Sequence, residues 1–503
     1  MAYSVAEQPV PVIRNRRLGP IRVLWLVILA VVAGACIVLQ ARGWVALSVE
    51  SGGACGSRYG ACPQGTFPVL TGSLILAICT LPFVIRRLFR RPRWLALLMA
   101  LAMVGGGFLG ERAFQYFHGT TLSTTWSAPY DNPNTLTTQG VWTTGNTVVR
   151  LRTDQVSAYD AVSGALRWTD PIPGQNVVCT ASRTTAGSVG VFGYGAEEDP
   201  CAHLVALDLN TGKQLWTTTL DVEDLADVQS PAADLVAAAG DVVAVRSNSG
   251  VVGYNARTGE REWQSPATPN CDDQFVAADP GNVVAISACE ESYVVADLDP
   301  SSGQARWQTP VGETATNYEL ALLSTNPVVV DDSLPGARRT DHVRVFTAQG
   351  KQNVIIDATD VSTGDGTVSL DTDGHTGDGF RPQPLYWTQV FGNTLVATTQ
   401  EIQSHDDLVG YDLSTGKRRW ETASSDEVSA VGRAGNTVLV LEDSQPSPQL
   451  VTINATTGAS AEVGVLPDWS FGDDDTGIYQ FGTHFVGVNE TGVNPTPPVF
   501  GIG

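Results

Sequence analysis

The chain has 503 residues, 43% of them hydrophobic, and a formal net charge of −22 at pH 7, long enough for more than one folded unit and apolar enough for an ordered one. The charge is split: residues 1–118 carry 12 Arg, no Lys and three acids (Glu7, Glu50 and Glu111), a balance of +9, so residues 119–503 stand at −31. That acidity excludes nucleic acid as a partner, because binding phosphates needs a basic face that displaces their counterions.

In chain order, residues 1–20 read as a cytoplasmic tail and residues 21–110 as a three-helix transmembrane anchor. The first span is Ile21 to Gln40, led by Arg14, Arg16, Arg17 and Arg22. Its roughly 20 residues suit a bilayer core, and the run is too long and lacks the small-residue cleavage site of a signal peptide. Residues 67–85 and 94–110 are the second and third spans, and 41–66 is an extracellular loop. Nine Arg sit in the N-terminal segment and in residues 86–93, against Arg42 and Arg58 in the 41–66 loop. Basic residues stay on the cytoplasmic side, so this distribution predicts a multi-pass cell-membrane protein with its large C-terminal part extracytoplasmic. Ala30 and Gly34 have small-x-x-x-small spacing, which reads as ordinary helix packing.

Cysteine placement agrees with that orientation. Cys36 and Cys79 lie inside spans, and the other six fall in the extracellular parts in close pairs: Cys55 with Cys62, Cys179 with Cys201, Cys271 with Cys289. Adjacent pairing is the simplest connectivity, and disulfides in an oxidising compartment are preferred over metal binding, since no CxxC and no accompanying His cluster occurs.

A linker at 111–121 precedes a region of short strand-like runs in which one pattern recurs. Leu204-Val-Ala-Leu-Asp-Leu-Asn-Thr-Gly-Lys-Gln-Leu-Trp216 reads as a strand ending in Asp208, a turn closed by Gly212, and a second strand carrying Trp216. The same spacing gives Asp160, Gly164, Trp168; Asn255, Gly259, Trp263; Asp299, Gly303, Trp307; and Asp412, Gly416, Trp420, while Asn454 and Gly458 are followed by Glu462. The first four Trp are 48, 47 and 44 residues apart, the length of one four-stranded propeller blade. The longer gap between Trp307 and Trp420 should hold one further blade, with a degenerate turn at Val343 to Gly350, and an insertion at 357–383. Trp126 has no strand-turn unit before it; its partner is sought in Gly477 to Gly492, where Phe485 to Gly492 resembles a third strand. Pairing the two ends in one blade closes a ring of eight, or of seven if the 343–354 unit or the last one is miscounted. The expected fold is thus an all-β propeller over residues 122–492, with a tail at 493–503, behind the α-helical anchor.

The element Ala-x-Asp-x-x-Thr-Gly-x-x-x-Trp, as at Ala206 to Trp216, resembles the tryptophan-docking repeat of the PQQ-like propellers, those of the pyrroloquinoline-quinone dehydrogenases and of the outer-membrane assembly lipoprotein. The resemblance implies that Trp126, Trp168, Trp216, Trp263, Trp307 and Trp420 wedge between neighbouring blades, a structural role suited to large aromatic rings. It also implies a possible chemistry, since the quinone enzymes set adjacent cysteines against the cofactor and hold Ca²⁺ with Glu, Asn and Asp beside a catalytic Asp. No two cysteines are adjacent here, and that constellation has no place in the sequence. Acidic runs at 371–379 and 473–475 could offer oxygen ligands to Ca²⁺ but read better as solvated loops. The six His are scattered, without HExxH, and no G-x-S-x-G or P-loop occurs.

The reading is therefore a non-catalytic, membrane-tethered propeller with no cofactor, no metal and no catalytic residue, acting as a scaffold that binds another envelope protein. A membrane-bound quinoprotein dehydrogenase is the alternative.

Overall fold

The computed structural model describes residues 20–45, 47, 66–88, 93–118 and 122–503, apart from 134–135, 175, 197–198, 221–234, 248–249, 291, 313–318, 335–339, 360, 364–365, 371–386, 402–403, 425–426, 443–447, 467–475 and 493–495. The chain divides into two units, residues 1–120 and 121–503.

The first unit consists of helices α1 (Pro20–Val45), α2 (Thr66–Leu88) and α3 (Arg93–His118), each containing a segment long and apolar enough to cross a membrane. Helices α1 and α3 meet backbone to backbone. A Cβ added at Gly34 would lie 2.0 Å from the Met103 carbonyl oxygen, and one at Gly106 would lie 2.0 Å from that of Val31. The Ala30–Gly34 spacing therefore serves packing within the chain, as small residues do where helices must approach closely. Helix α2 is tied to α1 through Gln40, whose Nε2 donates to the Leu70 carbonyl and to Ser73 Oγ, both at 2.7 Å. Two expected boundaries move. Helix α1 continues to Val45, and α3 runs through residues 111–118, the first part of the expected linker. Glu111 looked like the end of an apolar span, yet Arg42 of α1 pairs with it at 2.6 Å, which lets the helix continue past the carboxylate.

In the second unit the repeated turn builds itself locally. At Asp160 the backbone amide donates to the Ala165 carbonyl at 2.9 Å, the Gly164 amide donates to the Asp160 carbonyl at 2.8 Å, and the carboxylate accepts from the Ser163 amide at 2.8 Å. Gly164 has φ +70°, a left-handed conformation that a side chain would strain. The preceding blade imposes a second demand, since a Cβ at Gly164 would lie 2.5 Å from the Trp126 ring. The glycine is thus both the turn's hinge and the floor on which the neighbouring indole lies.

Eight sheets follow one another around a ring. Blade 1 occupies residues 138–171, blade 2 177–219, blade 3 236–266, blade 4 271–311, blade 5 319–357, blade 6 388–423 and blade 7 428–465. Blade 8 is composite: its strands, from the inside out, are Thr476–Phe481, His484–Asn489, Val499–Ile502 and Thr124–Ser127. The first and last strands of this unit therefore close the ring, with Trp126 opposite Gly501. The details differ from expectation. Residues 485–489 belong to the second strand, and the third lies inside the expected 493–503 tail, where Phe500 is fully buried. Pro495, Pro497 and Pro498 are poor strand residues and disguised it.

Each of the eight joints between adjacent blades carries its own apolar cluster, so no blade buries its faces alone. Docking tryptophans reach across these joints. The indole N–H of Trp126 donates to the Ala161 carbonyl, and those of Trp168, Trp216, Trp263 and Trp420 donate to Leu209, Ala256, Pro300 and Ala455, at 2.7 to 3.3 Å. Trp307 differs because blade 5 has the degenerate turn. There Thr347 replaces the acid, the Gly350 amide donates to the Thr347 carbonyl at 2.9 Å, and Trp307 Nε1 meets no carbonyl acceptor in hydrogen-bond geometry among the described residues. Gly350 still lies under the Trp307 ring, and Val354 stands where blade 5 would carry its own Trp, facing Gly416. Of the insertion, Val361–Thr363 and Gly366–Leu370 pair as antiparallel strands, and the second joins blade 6 through Ser369 and Leu370.

A buried ion network locks the closing joint. Asp131, just beyond the outer strand of blade 8, accepts from Arg150 at 2.7 Å and Arg152 at 2.8 Å, both on blade 1, and these three side chains are only 4–5% exposed. The Gly492 amide donates to the same carboxylate at 2.8 Å, while Arg150 also donates to Thr138 Oγ1 at 2.6 Å and to the Glu490 carbonyl at 3.2 Å. Burial pushes the Asp131 carboxyl up, but the hydrogen bond and charge of Arg150, the Gly492 amide and the Arg152 charge outweigh it and hold the group below its ordinary value.

Candidate functional site: the central channel

The residues singled out from the sequence are dispersed around the ring. Cys179–Cys201 and Cys271–Cys289 are disulfides, in blades 2 and 4; Cys55 and Cys62 lie outside the described residues. Cys179–Cys201 links the first and third strands of blade 2, passing over Gly193 of the second, where a Cβ would lie 2.9 Å from Cys179 Sγ. Residues 190–202 are largely strand, Val189–Ala196 and Asp199–Asp208. The acidic runs 371–379 and 473–475 lie outside the described residues.

What converges is the axis of the ring. The inner strands and the turns after them enclose a cavity of about 510 Å³, with an adjoining one of about 380 Å³ that shares Thr143, Arg183, Thr184, Ala278 and Tyr479. Seven of the eight first strands add at least one residue to the larger cavity's wall; blade 2 reaches it through Arg183 and Thr184, just past its first strand. Arg433 from blade 7 is the second guanidinium of the lining. It lies 4.7 Å above the Phe391 ring and donates from Nη1 to the Val390 carbonyl at 3.1 Å, so blade 6 fixes its plane. Burial pushes its guanidinium below the ordinary arginine value. The adjoining cavity adds Asp279, whose Oδ1 caps the Gly281 and Asn282 amides at 2.6 and 3.1 Å and whose Oδ2 accepts from Thr325 at 2.9 Å.

Neither arginine stands out when the chain is aligned on its tryptophans. Alignment on the hairpin glycines Gly145, Gly392 and Gly435, each followed by Asn, would have found Arg433, which stands where those hairpins carry Thr143 and Val390.

A quinone–Ca²⁺ pair does not fit these residues. Ca²⁺ needs several oxygen ligands, usually carboxylates. The described channel lining has one carboxylate, that of Asp279, already capping a turn, and the described residues hold no group of three His, Cys, Asp or Glu that could bind a metal. The two described disulfides join cysteines 22 and 18 residues apart, where the quinone site calls for adjacent ones.

The family model described as outer membrane protein assembly factor BamB matches residues 113–270 and 201–378, together more than half of the chain. The chain belongs to this family. The BamB-family ring is similar to several solved structures. BamB from Moraxella catarrhalis is 15% identical with a TM-score of 0.44, covering 76% of this chain and 99% of that one. Quinohemoprotein alcohol dehydrogenase from Comamonas testosteroni is 14% identical with a TM-score of 0.43, covering 76% of each chain. Sqt1 from Saccharomyces cerevisiae is 13% identical with a TM-score of 0.43, covering 75% of this chain and 98% of that one. No curated protein matches the sequence.

Proposed function

We propose that this BamB-family chain is a membrane-tethered scaffold whose propeller stands outside the cytoplasmic membrane and binds another protein of the cell envelope. One observation carries the reading: a closed eight-bladed ring, filled at every joint, shares a chain with three apolar helices long enough to span a bilayer. The family's description as an assembly factor supports a protein-binding role. Nine Arg, four from Arg14 to Arg22 and five at residues 86–93, support an inside N-terminus, and disulfides in blades 2 and 4 suit an oxidising compartment. The channel donors described above give the dehydrogenase alternative no support.

Affinity capture of the full chain from mildly solubilised membranes tests the proposal. A reproducible protein partner, recovered in near-stoichiometric amount, is expected. Recovery of none, together with dye reduction once quinone and Ca²⁺ are added, would overturn it.

A further inference from the structure

The channel reverses the sign of its surroundings. Residues 119–503 carry a net −31, yet the larger cavity is lined by two guanidiniums and by no carboxylate among the described residues. Arg433 is an exposed residue of the channel wall that uses one donor on the protein: Nη1 reaches the Val390 carbonyl, while Nε and Nη2 meet no acceptor among the described residues. The group is nevertheless held in place, one face against Phe391 and one donor on blade 6. A fixed fork with open donors loses little freedom when an oxyanion binds it. Around it the cavity offers Thr143, Gln389 and Tyr479 as polar side chains and Val390, Leu322 and Phe275 as apolar ones. Its volume of about 510 Å³ lies in the range of small-molecule sites.

We propose that the central channel is a binding site for a small multivalent oxyanion, a carboxylate or phosphate compound, gripped by Arg433 and drawn in by the joint charge of Arg433 and Arg183. The site uses charge-assisted hydrogen bonds to arginine and needs no metal ion. It is independent of the scaffold reading, because it lies on the ring axis and asks nothing of a protein partner.

The test uses the full chain in detergent, with citrate and pyrophosphate as separate probes and glucose as the neutral control, all at one ionic strength. Titration calorimetry should show saturable binding of at least one anion, and a roughly hundredfold excess over Kd should raise Tm by a few degrees. Arg433→Gln should weaken binding roughly ten- to a hundredfold, the effect of losing a charged hydrogen bond, and Arg433→Lys less. Arg183→Gln, which leaves the Val390 contact in place, should weaken it as well. Citrate favoured over pyrophosphate would assign a carboxylate ligand, and the reverse a phosphate. Absence of saturable binding by either anion overturns the proposal, as does binding that neither arginine substitution changes in variants whose circular dichroism matches the parent.

Discussion

Asp131→Asn is expected to lower the stability of the propeller by about 3–5 kcal/mol, the usual cost of removing one partner from a buried ion pair. The substitution keeps shape and removes charge, leaving Arg150 buried beside a neutral amide at the joint where the ring closes, while Arg152 keeps its pair with Asp154 at 2.5 Å. Denaturant unfolding of the two proteins measures the difference; a loss below about 1 kcal/mol would mean that the network behaves like an exposed pair. The same residue sets an acid limb. Its carboxyl lies below the ordinary value in the fold, so its contribution is complete above the unfolded carboxylate pKa of about 4 and disappears as pH falls through the lower folded value. Stability of the parent should therefore drop with acid more steeply than that of Asp131→Asn.

Trp263→Ala should cost about as much, roughly 3–5 kcal/mol, because the indole is 7% exposed and rests on Gly303 of the next blade. Part of that cost is the hydrogen bond to the Pro300 carbonyl at 2.7 Å, and Phe isolates it. Trp263→Phe should lose about 1 kcal/mol more than Trp307→Phe, since Trp307 has no carbonyl bond to give up. Asp297 faces Trp307 across the strand pair, where most blades have Gly or Ala, and burial raises its carboxyl above the ordinary value. Equal losses in the two Phe variants would show that the turn of blade 5 docks its tryptophan like the others.

Much of this fold is legible because the repeat is written twice over, in a turn that Asp and Gly make locally and in a Trp that reports the neighbouring blade. Blade 5 could be found from Gly350 alone, although both its acid and its Trp are replaced. The third strand of blade 8 was hidden by prolines between Asn489 and Val499, and Asp131 by its position in a loop, where nothing local signals that two arginines of another blade converge on it. The end of α3 is illegible because Glu111 interrupts an apolar run, and its compensation by Arg42 is visible only when α1 and α3 are side by side. The channel was the least legible part. Its residues come from eight separate segments, and a lone Arg on an inner strand has no motif; only superposing the blades brings Arg183 and Arg433 to one cavity.

The ring of eight blades is closed by its own two ends. Ending the chain at Pro498 removes only residues 499–503, yet it takes away the strand that joins Thr124–Ser127 to the rest of blade 8. Thermal unfolding of this shortened protein, followed by circular dichroism, should show the cooperative transition lost or shifted down by many degrees. A transition that stays at the temperature and steepness of the full chain would contradict closure through Val499–Ile502.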